Sequence, residues 1–207
     1  MGRERRNFSQ VEKGIADCMR CAAFERFGYW KFPGNVHGNP TSPIWIIGAD
    51  PRRIKDDLKR ELIPAYWMGL SRRNLRDPLE RHFGRPLEDF VYLTDAVKCQ
   101  RPGSAIPREA LRTCPTTWLC HELTILKPRA IVALGDDAAD ALSQCEQELK
   151  ASGTTVAYLP HPSPANGAAI SKTYGLGGWE AYRAHLTRTF EHLKQFLPGR
   201  QDARGRP

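Results

Sequence analysis

The sequence predicts an α/β fold built on a mostly parallel, four-stranded sheet. Two observations lead there. Four short apolar runs recur along the 207 residues: IWIIG at 44–48, FVYLTDAV at 90–97, RAIVALG at 129–135 and TVAYLP at 155–160. They are continuous rather than alternating, as in strands covered on both faces. Helix-like stretches separate them, and strand–helix alternation is the pattern of a parallel sheet with crossover helices.

Residues 1–8 are polar and basic and are expected to be a loose N-terminus. Residues 9–26 read as a helix carrying Cys18 and Cys21. An aromatic, Gly- and Pro-rich loop, FGYWKFPGNVHGNPTSP, leads into the first strand. Helices are expected over 53–63, 71–83, 107–126 and 136–150. A last amphipathic helix spans 178–196, with Trp179, Tyr182, Leu186, Phe190 and Leu193 at helical spacing, a stripe that reads as core. Residues 198–207 are expected to be a disordered tail, which leaves one domain over 9–197.

The formal charge is +8 and the pI about 9.4, an excess that points first to nucleic acid as partner. The plain alternative is a merely basic protein. No apolar run is long enough for a membrane span. The start MGRERRNFSQ shows no secretory h-region and no myristoylation pattern. The expectation is a cytoplasmic protein whose cysteines stay reduced or metal-bound.

Cys18 and Cys21 form a C-x-x-C pair, and Cys99 and Cys114 a wider pair far downstream. A two-residue gap lets two sulfurs face one centre, and the distant pair closes the site when the chain folds back. Spacing alone leaves zinc and an iron–sulfur cluster open, and leaves room for buried, inert thiols. Cys120 and Cys145 stand in helix-like stretches without a partner at ligand spacing and are expected as buried apolar residues.

Ligands of such sheets bind beyond the carboxyl ends of the strands. The first strand ends in Gly48-Ala49-Asp50-Pro51-Arg52, where Asp50 is either a helix cap or a functional acid. The second ends near Asp95 and runs on to Cys99. The fourth ends in Pro160-His161-Pro162-Ser163-Pro164-Ala165-Asn166. Prolines restrict this loop, and stiffness is what holds a group against a ligand.

HPSP after a strand, together with G-x-D-P after the first strand, resembles the uracil-DNA glycosylase superfamily. YLTDAVKCQRP, the helix carrying Cys114, and KPRAIVALG resemble its iron–sulfur, family-4-like branch. The resemblance spans roughly Cys18 to Asn166. It implies a three-layer α/β/α fold, a mainly structural [4Fe–4S] cluster on Cys18, Cys21, Cys99 and Cys114, and hydrolysis of an N-glycosidic bond in DNA. The expected partner is DNA and the expected state a monomer. Asp50 matches the acid that positions the attacking water and stabilises positive charge on the deoxyribose. His161 matches the donor to the base O2, where negative charge builds. Ser163 matches the loop that presses on the phosphate backbone, with Asn166 close behind as a further substrate contact. Trp67 falls about where the family stacks an aromatic on the flipped base.

Two positions depart from the pattern. Asp95 stands where uracil-excising members carry Asn. An Asn amide complements both N3–H and O4 of uracil, whereas an ionised Asp only accepts. A buried acceptor left facing O4 costs about 1–3 kcal/mol. Asp matches the N4 amine of cytosine, with a proton shared at N3 that burial of the carboxyl favours. Arg52 replaces a Gly of the branch, and either meets a polar 5-substituent or points to solvent or phosphate. The expected substrate is therefore a 5-modified cytosine, as in some phage DNA, in an antiviral role. Uracil repair is the alternative within the class. A non-catalytic iron–sulfur nucleic-acid binder is the alternative outside it.

Overall fold

The computed structural model of the protein describes residues 2–21, 30–31, 37–51, 72–100 and 105–197. The helix expected at 53–63, together with Arg52 and Trp67, lies outside the described residues. Four parallel strands form the centre: β3 (Ile44–Gly48), β4 (Tyr92–Asp95), β6 (Ala130–Leu134) and β7 (Thr155–Leu159). A two-residue strand β2 (His37–Gly38) adds antiparallel to the outer edge of β4, giving the order β2-β4-β3-β6-β7. A small ribbon pairs β1 (Trp30–Lys31) with β5 (Cys99–Gln100).

Period-two alternation sends the side chains of each central strand to two different cores. Ile44 and Ile46, with Val132 and Leu134, pack against α2 (Asp77–Phe83), α7 (Gly167–Tyr174) and α8 (Gly178–Leu193). Trp45 and Ile47, with Ile131 and Ala133, pack against α1 (Gly2–Ala16), α4 (Cys120–Leu126) and α5 (Asp136–Ser143). All of these strand side chains are fully buried, which is why the runs read as continuous apolar. Helices on both faces make the three-layer α/β/α sandwich. No described helix is long and apolar enough to cross a membrane.

Helix α1 differs from its expected span. It begins at Gly2 and stops at Ala16, before the cysteine pair, rather than running over 9–26. Its buried face is Phe8, Val11 and Ile15, and a turn from Ile15 O to the Cys18 N–H ends it. Gly14 brings it close to Trp118, since a β-carbon there would stand 2.5 Å from that ring.

The stretch expected as a helix over 107–126 consists of α3 (Arg108–Cys114), a widened π turn at Pro115–Leu119, and α4. The cause is Pro115, which has no N–H to give the Leu111 carbonyl one turn back. That carbonyl instead accepts a 2.9 Å hydrogen bond from Gln144 Nε2.

The stretch expected as one helix over 136–150 is broken between α5 and α6 (Glu146–Ser152). At the break Cys145 leaves helical geometry, with φ −107° and ψ 28°. It forms a disulfide with Cys120, with 5.1 Å between the α-carbons. This corrects the expectation of two unpartnered apolar cysteines, and of a chain whose cysteines are all reduced or metal-bound. The two lie 25 residues apart, and only the packing of α4 against the α5–α6 junction brings them together.

Candidate active site and cysteine centre

The strand order sets where a ligand can lie. From β3 the chain crosses to β4 on one side and then returns to β6 on the other. Neighbouring loops therefore diverge at the carboxyl ends of β3 and β6, and a crevice opens between them. A cavity of about 620 Å³ occupies that position. Asp50, His161, Ser163 and Asn166 all line it.

Asp50 follows β3 by two residues and is only 7% exposed. Asp95 closes β4, opposite Gly48 in the parallel register, and is 4% exposed. It is buried at the neighbouring strand end and is not among the residues that line the cavity. The backbone between the two acids is tied together: Ala96 and Val97 donate their N–H groups to the carbonyls of Gly48 and Ala49, each at 2.9 Å.

His161 is held through its backbone. Tyr182, buried in α8, donates its hydroxyl to the Pro160 carbonyl at 3.0 Å. Asn166 donates its amide to the His161 carbonyl at 3.1 Å. Gly135, at the end of β6, donates its N–H to Leu159 at 2.8 Å. In this structure, then, the Asn166 amide braces the histidine loop. Ser163 is buried beneath that loop, and its carbonyl accepts the Asn166 N–H at 3.0 Å.

The third central strand, β6, also ends at the cavity. There Gly135 is followed by Asp136 and Asp137, and all three line the cavity, as do Tyr158 and Thr173. The strand-end rule applied to RAIVALGDD would have found the first three. Tyr158 and Thr173 carried no local signal, because their place depends on how β7 and α7 pack.

The four remaining cysteines converge elsewhere. Cys18, Cys21, Cys99 and Cys114 are not in disulfides and line one small pocket that includes Trp118. Burial pushes the Cys114 thiol up to about 12, while the backbone N–H and the charge of Lys98 pull it back. Burial also raises Cys21, helped by the neighbouring Cys18 and Glu109. The Lys98 N–H lies 3.2 Å from Cys114 Sγ, a donor that stabilises a thiolate ligand. Among the described residues, the group of metal-ligating atoms that closes to within 4.8 Å is the disulfide pair Cys120 and Cys145 with Glu148, not the four thiols. The donor set of the four thiols is all sulfur, which suits zinc or an iron–sulfur cluster.

A sequence model of the Uracil DNA glycosylase superfamily matches residues 36–192. The chain is 29% identical over 158 residues to a type-5 uracil-DNA glycosylase of Pyrobaculum aerophilum, covering 71% of this chain and 66% of that protein. It is 30% identical over 139 residues to a type-4 uracil-DNA glycosylase of the same organism, covering 67% and 65%. A type-4 uracil-DNA glycosylase of Sulfurisphaera tokodaii is 24% identical over 132 residues, covering 62% and 54%. The matched region thus spans less than two thirds of each of these relatives. The family match runs from just before β2 into the last turn of α8, across every central strand and the whole cavity. The chain belongs to the uracil DNA glycosylase superfamily, in its family-4-like branch.

Proposed function

We propose that the protein is a monofunctional DNA glycosylase that hydrolyses the N-glycosidic bond of an extruded base and leaves an abasic site. The observation that carries this is the meeting of Asp50 and His161 on one cavity at the strand crossover. Asp50 orients the attacking water and stabilises the cationic deoxyribose. His161, fixed by Tyr182 and Asn166, donates to the base oxygen as negative charge develops there. Ser163 presses on the phosphate backbone, and Arg52 and Trp67 meet the base edge and face. The relatives act on uracil by name, which supports the reaction class.

The proposed base is a 5-modified cytosine, because Asp95 offers acceptors where uracil needs a donor. Phage DNA is the natural source of such a base, so the role is antiviral. The alternative is uracil excision in repair, which the relatives' names favour. A non-catalytic binder leaves Asp50 and His161 on the cavity without a use. Cys18, Cys21, Cys99 and Cys114 would hold a [4Fe–4S] cluster, whose contribution is to tie the N-terminal segment to the β4–α3 region. The protein would act as a cytoplasmic monomer, with DNA as its partner.

Mass spectrometry of bases released from ordinary, uracil-containing and 5-modified-cytosine DNA tests the proposal. Release of a modified cytosine supports it. Release of uracil alone selects the repair reading. Tight DNA binding with no base released from any substrate selects the binder.

A further inference from the structure

Residues 95–98 join the candidate active site to the cysteine centre. At one end Asp95 closes β4, and the Ala96 and Val97 N–H groups hold the carbonyls of Gly48 and Ala49, the two residues before Asp50. At the other end the Lys98 N–H reaches Cys114 Sγ at 3.2 Å, and Cys99 follows. The Lys98 side chain does not reach solvent. It is 1% exposed and turns back under β4 to meet Glu122 Oε2 at 2.6 Å and Thr94 Oγ1 at 2.6 Å. Glu122, on α4, is fully buried, and the hydroxyls of Tyr92 and Thr94 point to its carboxylate at 3.4 Å.

Burying an ion pair is a poor way to gain stability, since apolar side chains of similar volume often do as well or better. Its advantage is geometry, because a charge pair with fixed hydrogen bonds tolerates few placements. Here the placement concerns a four-residue connection with a candidate functional acid tied to each strand it touches.

We propose that Lys98 is a positioning residue. Locked by Glu122 and Thr94, it sets the 95–98 connection so that Asp95 and Asp50 keep their relative places, and it ties that geometry to the cysteine centre. The consequence for base release rests on the glycosylase reading above. The coupling itself does not. If occupancy of the cysteine centre and DNA binding both favour one arrangement of 95–98, each must stabilise the other, because linkage is reciprocal.

The test uses the full chain as purified with its iron. Lys98→Met combined with Glu122→Leu removes the pair without stranding a buried charge. This variant is expected to melt somewhat lower, because the buried hydroxyls of Tyr92 and Thr94 lose their acceptor, and to keep the wild-type iron content and DNA affinity. Its single-turnover base release is expected to fall at least about tenfold, since a displacement near 1 Å can cost on the order of 100-fold. In wild type, DNA carrying an abasic site is expected to slow bleaching by a chelator of the absorbance near about 400 nm. In the paired variant that protection is expected to vanish. Thr94→Val, which keeps the ion pair but loses one acceptor, should show the same losses in milder form, and Thr94→Ser should restore them.

Wild-type rates and wild-type protection in both the paired variant and Thr94→Val would overturn the proposal. If the paired variant does not fold, the Thr94 pair decides. If the wild type releases no base from any DNA, the glycosylase reading fails and the bleaching arm alone decides the coupling. If the chain carries no iron, DNA protection of Cys114 from iodoacetamide takes the place of bleaching.

Discussion

Gly135 lies so close beneath His161 that a β-carbon on the glycine would stand 3.2 Å from the histidine β-carbon. The glycine also has φ +84°, where L side chains are strained. The end of the third strand thus forms the floor on which the histidine loop rests. Gly135→Ala should cost on the order of 1–2 kcal/mol through backbone strain. Base release should fall more than stability explains, by about tenfold or more, because the contact pushes His161 off its position. Thermal melting and single-turnover kinetics on the same preparation check both halves. An unchanged rate would mean that His161 is placed by its other supports.

Asp50 and His161 have separable roles in the proposed reaction, one at the sugar and one at the base. Asp50→Asn and His161→Ala should each lower single-turnover base release by about 10²–10³. DNA affinity should hold, because phosphate contacts dominate binding. Asn166→Ala should have a smaller effect in the same direction, since it frees the carbonyl of His161 rather than its ring. Rapid-quench kinetics with excess enzyme separate these changes from product release.

Much of this arrangement was legible because burial leaves a plain mark on sequence. The runs around Ile46 and Val132 read as strands since helices cover both faces of the sheet there, whereas β7 is an edge strand with Tyr158 59% exposed, and the Tyr182–Leu186–Phe190 stripe read as core since it is. The meeting of Asp50 and His161 followed from the rule that ligands sit at carboxyl ends of strands. The grouping of the four thiols followed from ligand spacing. What was not legible depends on tertiary context. The first turns of α1 are charged and show no apolar stripe before Phe8. Helix α7, GAAISKTY, is short and buries a single residue, Ile170. The Cys120–Cys145 bond joins segments whose proximity no local pattern encodes. Arg52 and Trp67 lie outside the described residues, so their assignments rest on resemblance alone.

His82 and Glu191 hydrogen-bond between α2 and α8, on the helical layer that carries Tyr182. The bond from His82, aided by the charge of Lys194, holds the Glu191 carboxyl below its usual value of 4.5. A depressed carboxyl contributes stability that is complete above pH 4.5 and is lost as pH falls through the lower folded-state value. The pair is solvent-exposed, so its contribution is small. Wild type should melt slightly above Glu191→Gln at pH 6, and the two should converge as pH falls from about 4.5 toward 3. A difference that grew on acidification would contradict the assignment.

In the proposed reading, the identity of the base turns on Asp95. It is 4% exposed, at the end of β4, next to the strand that leads to Asp50. Ionised, it offers two acceptors and no donor, which matches an exocyclic amine and opposes a carbonyl. Asp95→Asn restores a donor at the same position with nearly the same volume. The substitution should therefore raise release of uracil and lower release of cytosine-type bases. Discrimination at a base edge is worth roughly 1–3 kcal/mol per good hydrogen-bond pair, so the preference ratio should move by about tenfold to a hundredfold. Side-by-side single-turnover assays of uracil, cytosine and 5-modified cytosine in one sequence context measure this ratio. Efficient uracil release by wild type, with no cytosine form released, would assign the protein to uracil repair and leave Asp95 without a role in choosing the base.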